Sequence, residues 1–592
     1  MALNTLNSDE RLKALRAELA RRDLDGFLVP RADEHLGEYV PANAERLAWI
    51  SGFTGSAGLA VVLADRAVLF TDGRYVLQAA AQTDPALWQR RHLIEDPPPA
   101  WLAANARGAR IGYDPWLFAE ETLARYTEAA IALVGVGSNP IDAVWHDRPA
   151  PPLTPIADHP LAFAGMSVGA KREAAAARLR EAGEDAAVIS DPASIAWLLN
   201  FRGADVPYTP FGLGFALLHA DAGVELFMAA AKVPAALAAG WGNAVSLSER
   251  EALPGALAAL AGKRVRVDPA ASPAWFAATL RAAGATVRPG MEPCILLKAS
   301  KNPVEREGAR IAHRRDAVAL CRFLRWLETA AGRETEMSAA ARLLALRAEG
   351  EGFRGESFAA IAGAGEHGAV IHYRATPESD RPIGSDETFL IDSGGQYPEG
   401  TTDVTRTVWT GPAAPPRAVA ATYTRVLQGH VALARLAFPQ GVAGAHLDAI
   451  ARAALWSAGQ DFDHGTGHGV GSFLSVHEGP VSISRAAKNV AIAEGMILSD
   501  EPGFYAPGSY GIRIENLLLV QKADFPEATK PFLGFETLTF APYARCLIIA
   551  AMLTPDERAW IDAYHARVLA QVGPSLDAAD RAWLAAACAP LV

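Results

Sequence analysis

Cysteine is scarce: Cys294, Cys321, Cys546 and Cys588 are the four in a chain of 592 residues. None forms a CxxC pair, which excludes a zinc ribbon or a thioredoxin-like redox site. So few thiols in so long a chain suit buried groups in a reducing compartment, not a disulfide framework. Long apolar runs are also missing. Nothing approaches the roughly 20 residues that a membrane helix needs, and the run from Cys546 to Leu553 is short and leads into a helix start. The opening stretch MALNTLNSDERLKAL lacks the apolar segment of a secretory signal. Positive charge is not in excess either. Lys and Arg number 55 against 66 Asp and Glu, a net charge of −11, so no chain-wide basic footprint for nucleic acid exists. The expectation is a cytoplasmic protein with neither a membrane nor a nucleic-acid partner.

What is present describes a folded chain. Half the residues are apolar, a fifth are charged, and 51 Gly and 39 Pro are dispersed throughout. At roughly 150 residues per domain the length allows three or four domains. In the first part, Leu12, Leu15 and Leu19 share one helical face behind Ser8, an expected N-cap. Gly26 to Val29 reads as a strand, and the runs Leu59 to Leu63 and Ala67 to Thr71 as a hairpin. Pro149, Pro151, Pro152, Pro155 and Pro160 then stiffen a connection and mark a boundary. Beyond it the pattern returns. SIAWLLNF from Ser194 spaces Trp197 and Phe201 as RLAWISGF spaces Trp49 and Phe53, and an apolar, Gly-rich strand pair follows each. The spacing predicts two copies of one α/β unit, the first enlarged between Arg31 and Ala44. Asn302-Pro303-Val304-Glu305 is a capping box opening a long helix through Trp326, and Thr554-Pro555-Asp556-Glu557 repeats it before a helical tail. The expected fold class is therefore α/β and α+β multidomain. Two related α/β domains (1–150 and 151–301) precede an α+β domain (302–538) and a helical C-terminal extension (539–592) packed on it.

The chemistry is concentrated between Ile361 and Glu515. An apolar strand runs from Phe389 into Asp392, a Gly/Pro-rich turn follows, and Asp403 is expected on the returning strand. Turn chemistry would explain the same residues. A second hairpin carries Glu501 before a Gly/Pro-rich excursion and returns through Arg513 and Glu515. Alternation puts Arg513 and Glu515 on one face, either as a solvated neighbour pair or as buried groups needing partner charges. Between the hairpins, His464 and His468 lie in HGTGHGVG, and His477 follows. The glycines argue against a helical zincin pair and for close approach of backbone to a ligand. His372, in AVIHYR, is expected to end an apolar strand. Four carboxylates brought together could not remain ionised without cations, and two divalent ions would offset them. A hard, oxygen-rich set with one histidine favours Mn²⁺, with Zn²⁺ or Co²⁺ as alternatives. Such a pair of ions activates water, so the site reads as that of a hydrolase.

The ordered set Asp392, Asp403, His468, Glu501, Glu515 resembles the ligand signature of the pita-bread metallopeptidases. HGTGHGVGSFLSVHEGP, SDEPGFY, GIRIEN, FTGSAG, TDGRYVLQAA and KASKNPVE are similar to strings of the long, three-domain aminopeptidase P group. The resemblance spans nearly the whole chain. It implies creatinase-like N-terminal domains, a pita-bread catalytic domain and a homodimer. It also implies hydrolysis of the bond between an N-terminal residue and a penultimate proline, by a hydroxide bridging two metal ions. Asp392 would bind one ion, His468 and Glu501 the other, and Asp403 and Glu515 would bridge. Glu501 would shuttle protons, His372 and His477 would contact substrate and assist the leaving proline nitrogen, and His464 would shape the proline subsite. The competing expectations are a Xaa-Pro dipeptidase and, from another class, a non-catalytic pita-bread binding module. Gly255 to Lys263 lacks phosphate-loop spacing, and Asp33-Glu34-His35 is expected to be a solvated loop, not a metal cluster.

Overall fold

The computed structural model describes residues 7–591; residues 1–6, with which the opening stretch begins, lie outside the described residues. The three leucines are buried on the helix Ser8–Arg21, which is capped one residue earlier than expected. Asn7 accepts from the Glu10 amide while Glu10 accepts from the Asn7 amide. The chain divides into two compact units, Met1–His159 with Met166–Ile295, and Pro160–Gly165 with Leu296–Val592.

The first unit holds two six-stranded sheets of one design. The first runs in the order Trp88–His92, Ala67–Thr71, Leu59–Leu63, Gly26–Pro30, Arg110–Tyr113, Ala132–Gly135. The second runs Val245–Ser248, Val224–Phe227, Phe215–His219, Ala186–Ile189, Arg264–Val267, Thr286–Pro289. Every corresponding neighbour pair has the same sense: a central antiparallel hairpin flanked by parallel strands. The helices Arg46–Ser51 and Pro192–Leu198 bury Trp49 and Trp197 in equivalent places, with Phe53 and Phe201 just beyond. The duplication read from the two aromatic pairs is thus a duplication of topology.

Asp33-Glu34-His35 corrects an expectation. It is a built joint, not a solvated loop. Asp33 is buried and its Oδ1 accepts from the His35 and Gly37 amides, Glu34 pairs with Arg46, and His35 stacks on Phe215 with Nδ1 3.0 Å from the Ser190 carbonyl. Asp33 is satisfied locally by two loop amides, whereas Glu34 and His35 are absorbed by partners further along the chain.

In the second unit, Asn302 caps the helix Pro303–Leu327, its Oδ1 accepting from the Val304 and Glu305 amides. A three-stranded antiparallel sheet contains Ile361–Ala364, Glu387–Ser393 and Val404–Thr410. A six-stranded sheet places Ile497–Asp500 between Asn516–Ala523 and Gly467–Gly469. The tail helices Pro555–Val572 and Ala578–Ala587 send Ile561, Tyr564, Val568 and Leu584 into one apolar cluster with Cys321, Tyr423, Val426 and Leu427. All four cysteines are free. Three are buried, but Cys546 is exposed, because the turn Arg545–Leu547 turns Leu547 inward in its place. Among the described residues no helix is long and apolar enough to cross a membrane.

Candidate metal centre

The acids sit where strands stop. Asp392 lies on Glu387–Ser393 opposite Thr405, whereas Asp403 precedes the returning strand, which begins at Val404. The expected facing pair is displaced because Gly395–Tyr397 and Gly400–Thr401 leave the hairpin to pair with each other. Glu501 falls between Ile497–Asp500 and Gly503–Ala506, and Glu515 between Tyr510–Arg513 and Asn516–Ala523. Both glutamates therefore occupy the step at which the chain passes from the six-stranded sheet to a two-stranded one. The two hairpins are stitched together at this step. The Glu515 amide donates to the Thr405 carbonyl at 3.1 Å, and Thr405 Oγ1 donates to Glu515 Oε2 at 2.7 Å.

His468 comes in on the short strand Gly467–Gly469, held tightly against its neighbour: a Cβ on Gly467 would meet the Ser499 carbonyl oxygen at 2.0 Å. Its Nδ1 is 2.9 Å from the Gly469 carbonyl, which assigns the proton to Nδ1 and turns the Nε2 lone pair inward. Nε2 lies 3.5 Å from Asp403 Oδ2 and 3.5 Å from Glu501 Oε1. Ligand atoms of Asp403, His468 and Glu515 all fall within 4.8 Å of one another.

Arg513 answers the question left open by its alternation with Glu515. It does not pair with Glu515; its Nη2 donates to Asp392 Oδ2 at 2.7 Å and its Nη1 to Tyr505 Oη at 2.6 Å. Tyr505 Oη is in turn 2.9 Å from His464 Nε2. His464 Nδ1 faces the Gly465 carbonyl at 2.7 Å, so Nε2 accepts and the tyrosine donates. Arg452 holds the same loop from the helix Asp448–Trp456, donating to the His464 and Phe462 carbonyls at 2.7 Å each.

His477 packs edge-on against His468, ring centres 4.3 Å apart. His372 does not end a strand, contrary to expectation. The strand Ile361–Ala364 gives way to the tight turn Gly365–Ala369, and His372 follows in a further turn. The cause is a crossing: a Cβ on Gly511 would lie 1.7 Å from the Gly368 oxygen, so the chain must lie flat over the hairpin where an apolar strand would have continued. Arg513 reaches the carbonyl of the neighbouring Ile371 at 3.3 Å, which ties this turn to the cluster. Tyr505 and Thr405 gave no sign in the sequence. Arg452 left one, the helical i, i+4 pair with Asp448.

Electrostatics is the dominant property of the site. Burial pushes Glu501 up to about 7; His468 and Arg513 oppose this, and Asp403 and Asp392 add to it. Burial, then Asp403, Glu501 and Asp392, push Glu515 well above the carboxylate range, and burial raises Asp392 against the pull of Arg513. Burial alone would lower His468, but Asp403 and Glu501 raise it to about 9. Asp392 Oδ1, Asp403 Oδ1 and Glu515 Oε1 are buried and accept no hydrogen bond. Three orphaned acceptor oxygens in one cluster fit divalent cations, since no protein donor satisfies them. Arg513 offsets one of the four carboxylate charges, so two divalent ions would leave one positive charge over, suited to an anionic nucleophile.

One prediction follows from the raised values. Metal ions need these groups deprotonated, so apparent metal affinity is expected to fall as pH drops below about 9, where His468 takes up a proton, and more steeply below about 7, where Glu501 does, with protons released on binding. In the metal-free protein, Glu501 contributes stability below its unfolded value of 4.5 that is lost as pH rises through about 7. Calorimetric titration with Mn²⁺ in two buffers of different ionisation enthalpy measures the release; none at pH 6 would contradict the assignment.

A cluster of four acids at strand ends, three buried and Glu501 half-buried, with a histidine defines a metal-dependent hydrolase. The description "Metallopeptidase family M24" matches residues 307–522, "C-terminal region of peptidase_M24" matches 531–591, and "Creatinase/Prolidase N-terminal domain" matches both 11–143 and 147–305. The chain belongs to metallopeptidase family M24. It is 38% identical to Aminopeptidase P2 of Arabidopsis thaliana over 97% of this chain and 88% of that one. It is 37% identical to a probable Xaa-Pro aminopeptidase P of Laccaria bicolor over 100% and 94%. Among solved structures, the X-prolyl aminopeptidase of Caenorhabditis elegans, described as a cytosolic enzyme with a di-nuclear active site, superposes with a TM-score of 0.93 at 32% identity. That match covers 99% of this chain and 100% of the other.

Proposed function

We propose that this chain is a metal-dependent aminopeptidase that hydrolyses the bond between an N-terminal residue and a penultimate proline in peptides. The observation that carries the reading is the trio of orphaned carboxylate oxygens on Asp392, Asp403 and Glu515 beside His468. His468 and Glu501 would hold one divalent ion and Asp392 the other, with Asp403 and Glu515 as the ligands shared between them. The oxygen-rich set favours Mn²⁺. When bound, the ions would activate water and offset the negative charge that develops on the scissile carbonyl oxygen.

The chain's own residues then have three tasks. A Xaa-Pro bond is a tertiary amide without an N–H, so it cannot be gripped as an ordinary extended strand. His464, fixed by Tyr505, shapes the space for the proline ring. His477, packed on His468, and His372 deliver a proton to the departing nitrogen, and Glu501 moves the proton of the attacking water. Domain limits at 1–150, 151–301, 302–538 and 539–592, a cytoplasmic location and a homodimeric state complete the proposal. The nematode relative, described as a cytosolic enzyme, supports the location.

The test compares a Xaa-Pro-Xaa tripeptide with a Xaa-Pro dipeptide, each with and without a chelator. Metal-dependent cleavage of the tripeptide is expected. Activity confined to the dipeptide would make the protein a dipeptidase, and no metal-dependent activity on either would favour a binding module.

A further inference from the structure

The C-terminal extension reaches the glutamates of the metal centre through two buried routes. The first is Arg406, on the strand that follows Asp403, 1% exposed and held without a carboxylate in its hydrogen-bond set. Its Nη1 donates to the Glu515 carbonyl at 2.7 Å and the Thr405 carbonyl at 2.8 Å. Nη2 donates to Asn516 Oδ1 and the Ala541 carbonyl, both at 2.8 Å, and to Tyr564 Oη at 3.0 Å; Nε donates to the Pro542 carbonyl at 3.2 Å. Three of those acceptors belong to the extension.

The second route is His430, on the helix Arg417–Ala434 and fully buried. Its Nδ1 is 3.1 Å from the Asp500 carbonyl and its Nε2 3.0 Å from Tyr543 Oη, which also accepts from Asn516 Nδ2 at 3.0 Å. Tyr543 and Tyr564 stack, ring centres 4.9 Å apart. Asp500 and Asn516 are ladder partners, the last pair before the chain leaves the sheet at Glu501 and Glu515. One stacked tyrosine pair therefore grips both sides of the step on which both glutamates ride.

We propose that residues 539–592 complete the metal centre: Tyr543 and Tyr564 are positioning residues that set the Glu501 and Glu515 carboxylates through His430, Asn516 and Arg406. This rests on the metallopeptidase reading above. Mutually repelling acids splay unless their backbone is fixed, and outer partners of metal ligands carry that load. Burying a guanidinium among carbonyls is costly, and here it secures the Glu515 carbonyl.

The test uses the full chain with Tyr543→Phe, Tyr564→Phe and the double variant, each removing only a hydroxyl. Mn²⁺ affinity is measured by competition with a chelating indicator, kcat and KM on a Xaa-Pro-Xaa peptide, and Tm on the metal-free protein. The double variant is expected to lose about tenfold in Mn²⁺ affinity and kcat, with KM and the metal-free Tm close to the parent's. Losses below about threefold in both affinity and kcat overturn the proposal, whatever the Tm. If the double variant does not fold, the single variants are read by the same threshold. A parent that binds no Mn²⁺ would instead overturn the functional reading itself.

Discussion

Asp403→Ala is expected to abolish metal binding and peptidase turnover together while the first unit keeps its fold. Asp403 Oδ2 faces His468 Nε2, and Asp403 Oδ1 is among the orphaned oxygens of the cluster. Removing it takes away a ligand shared by both proposed ions and leaves His468 without one of its two facing carboxylates. Several kcal/mol of transition-state stabilisation depend on such ions, so turnover should fall by about a thousandfold or more. Elemental analysis of the purified variant, turnover on a Xaa-Pro-Xaa peptide, and limited proteolysis for an intact first unit measure the three parts. Retained metal with retained turnover would refute Asp403 as a bridge.

Glu478→Ala is expected to cost about 3–5 kcal/mol of folding stability in the second unit. Glu478 follows His477 and is 5% exposed; its two oxygens accept from Lys298 Nζ at 3.1 Å and Lys301 Nζ at 2.5 Å. Both lysines come from the KASKNPVE segment and are themselves buried. Burial would raise the Glu478 carboxyl, but the two ammonium groups hold it below its ordinary value. Truncation leaves two buried cations without this carboxylate, which costs more than the pair itself contributes. Denaturant unfolding followed in the catalytic unit reads the loss. A change under about 1 kcal/mol would mean that water or another acid replaces Glu478.

Much of this was legible because the informative signals are local. Capping boxes at Asn302 and Thr554 place two helices correctly, since each depends on four consecutive residues. The repeat was visible in two tryptophans and two phenylalanines because equivalent helices bury equivalent faces. The meeting of Asp403, His468 and Glu515 could be inferred from acids at strand ends beside glycines. What the sequence hid depends on contacts made at long range. Nothing near Ala369-Val370-Ile371 reports that Gly511 crosses above Gly368, so His372 looks like the end of a strand. Nothing near Asp33 reports that Phe215 and Ser190 await His35. Arg513 could be a surface partner of Glu515 or a buried partner of Asp392, and only the fold decides.

The bond between Thr405 and Glu515 spans 110 residues of chain. A chain emerging from the ribosome therefore presents Asp392 and Asp403 long before their counterparts exist, and the cation pair can be captured only after synthesis has passed the second hairpin.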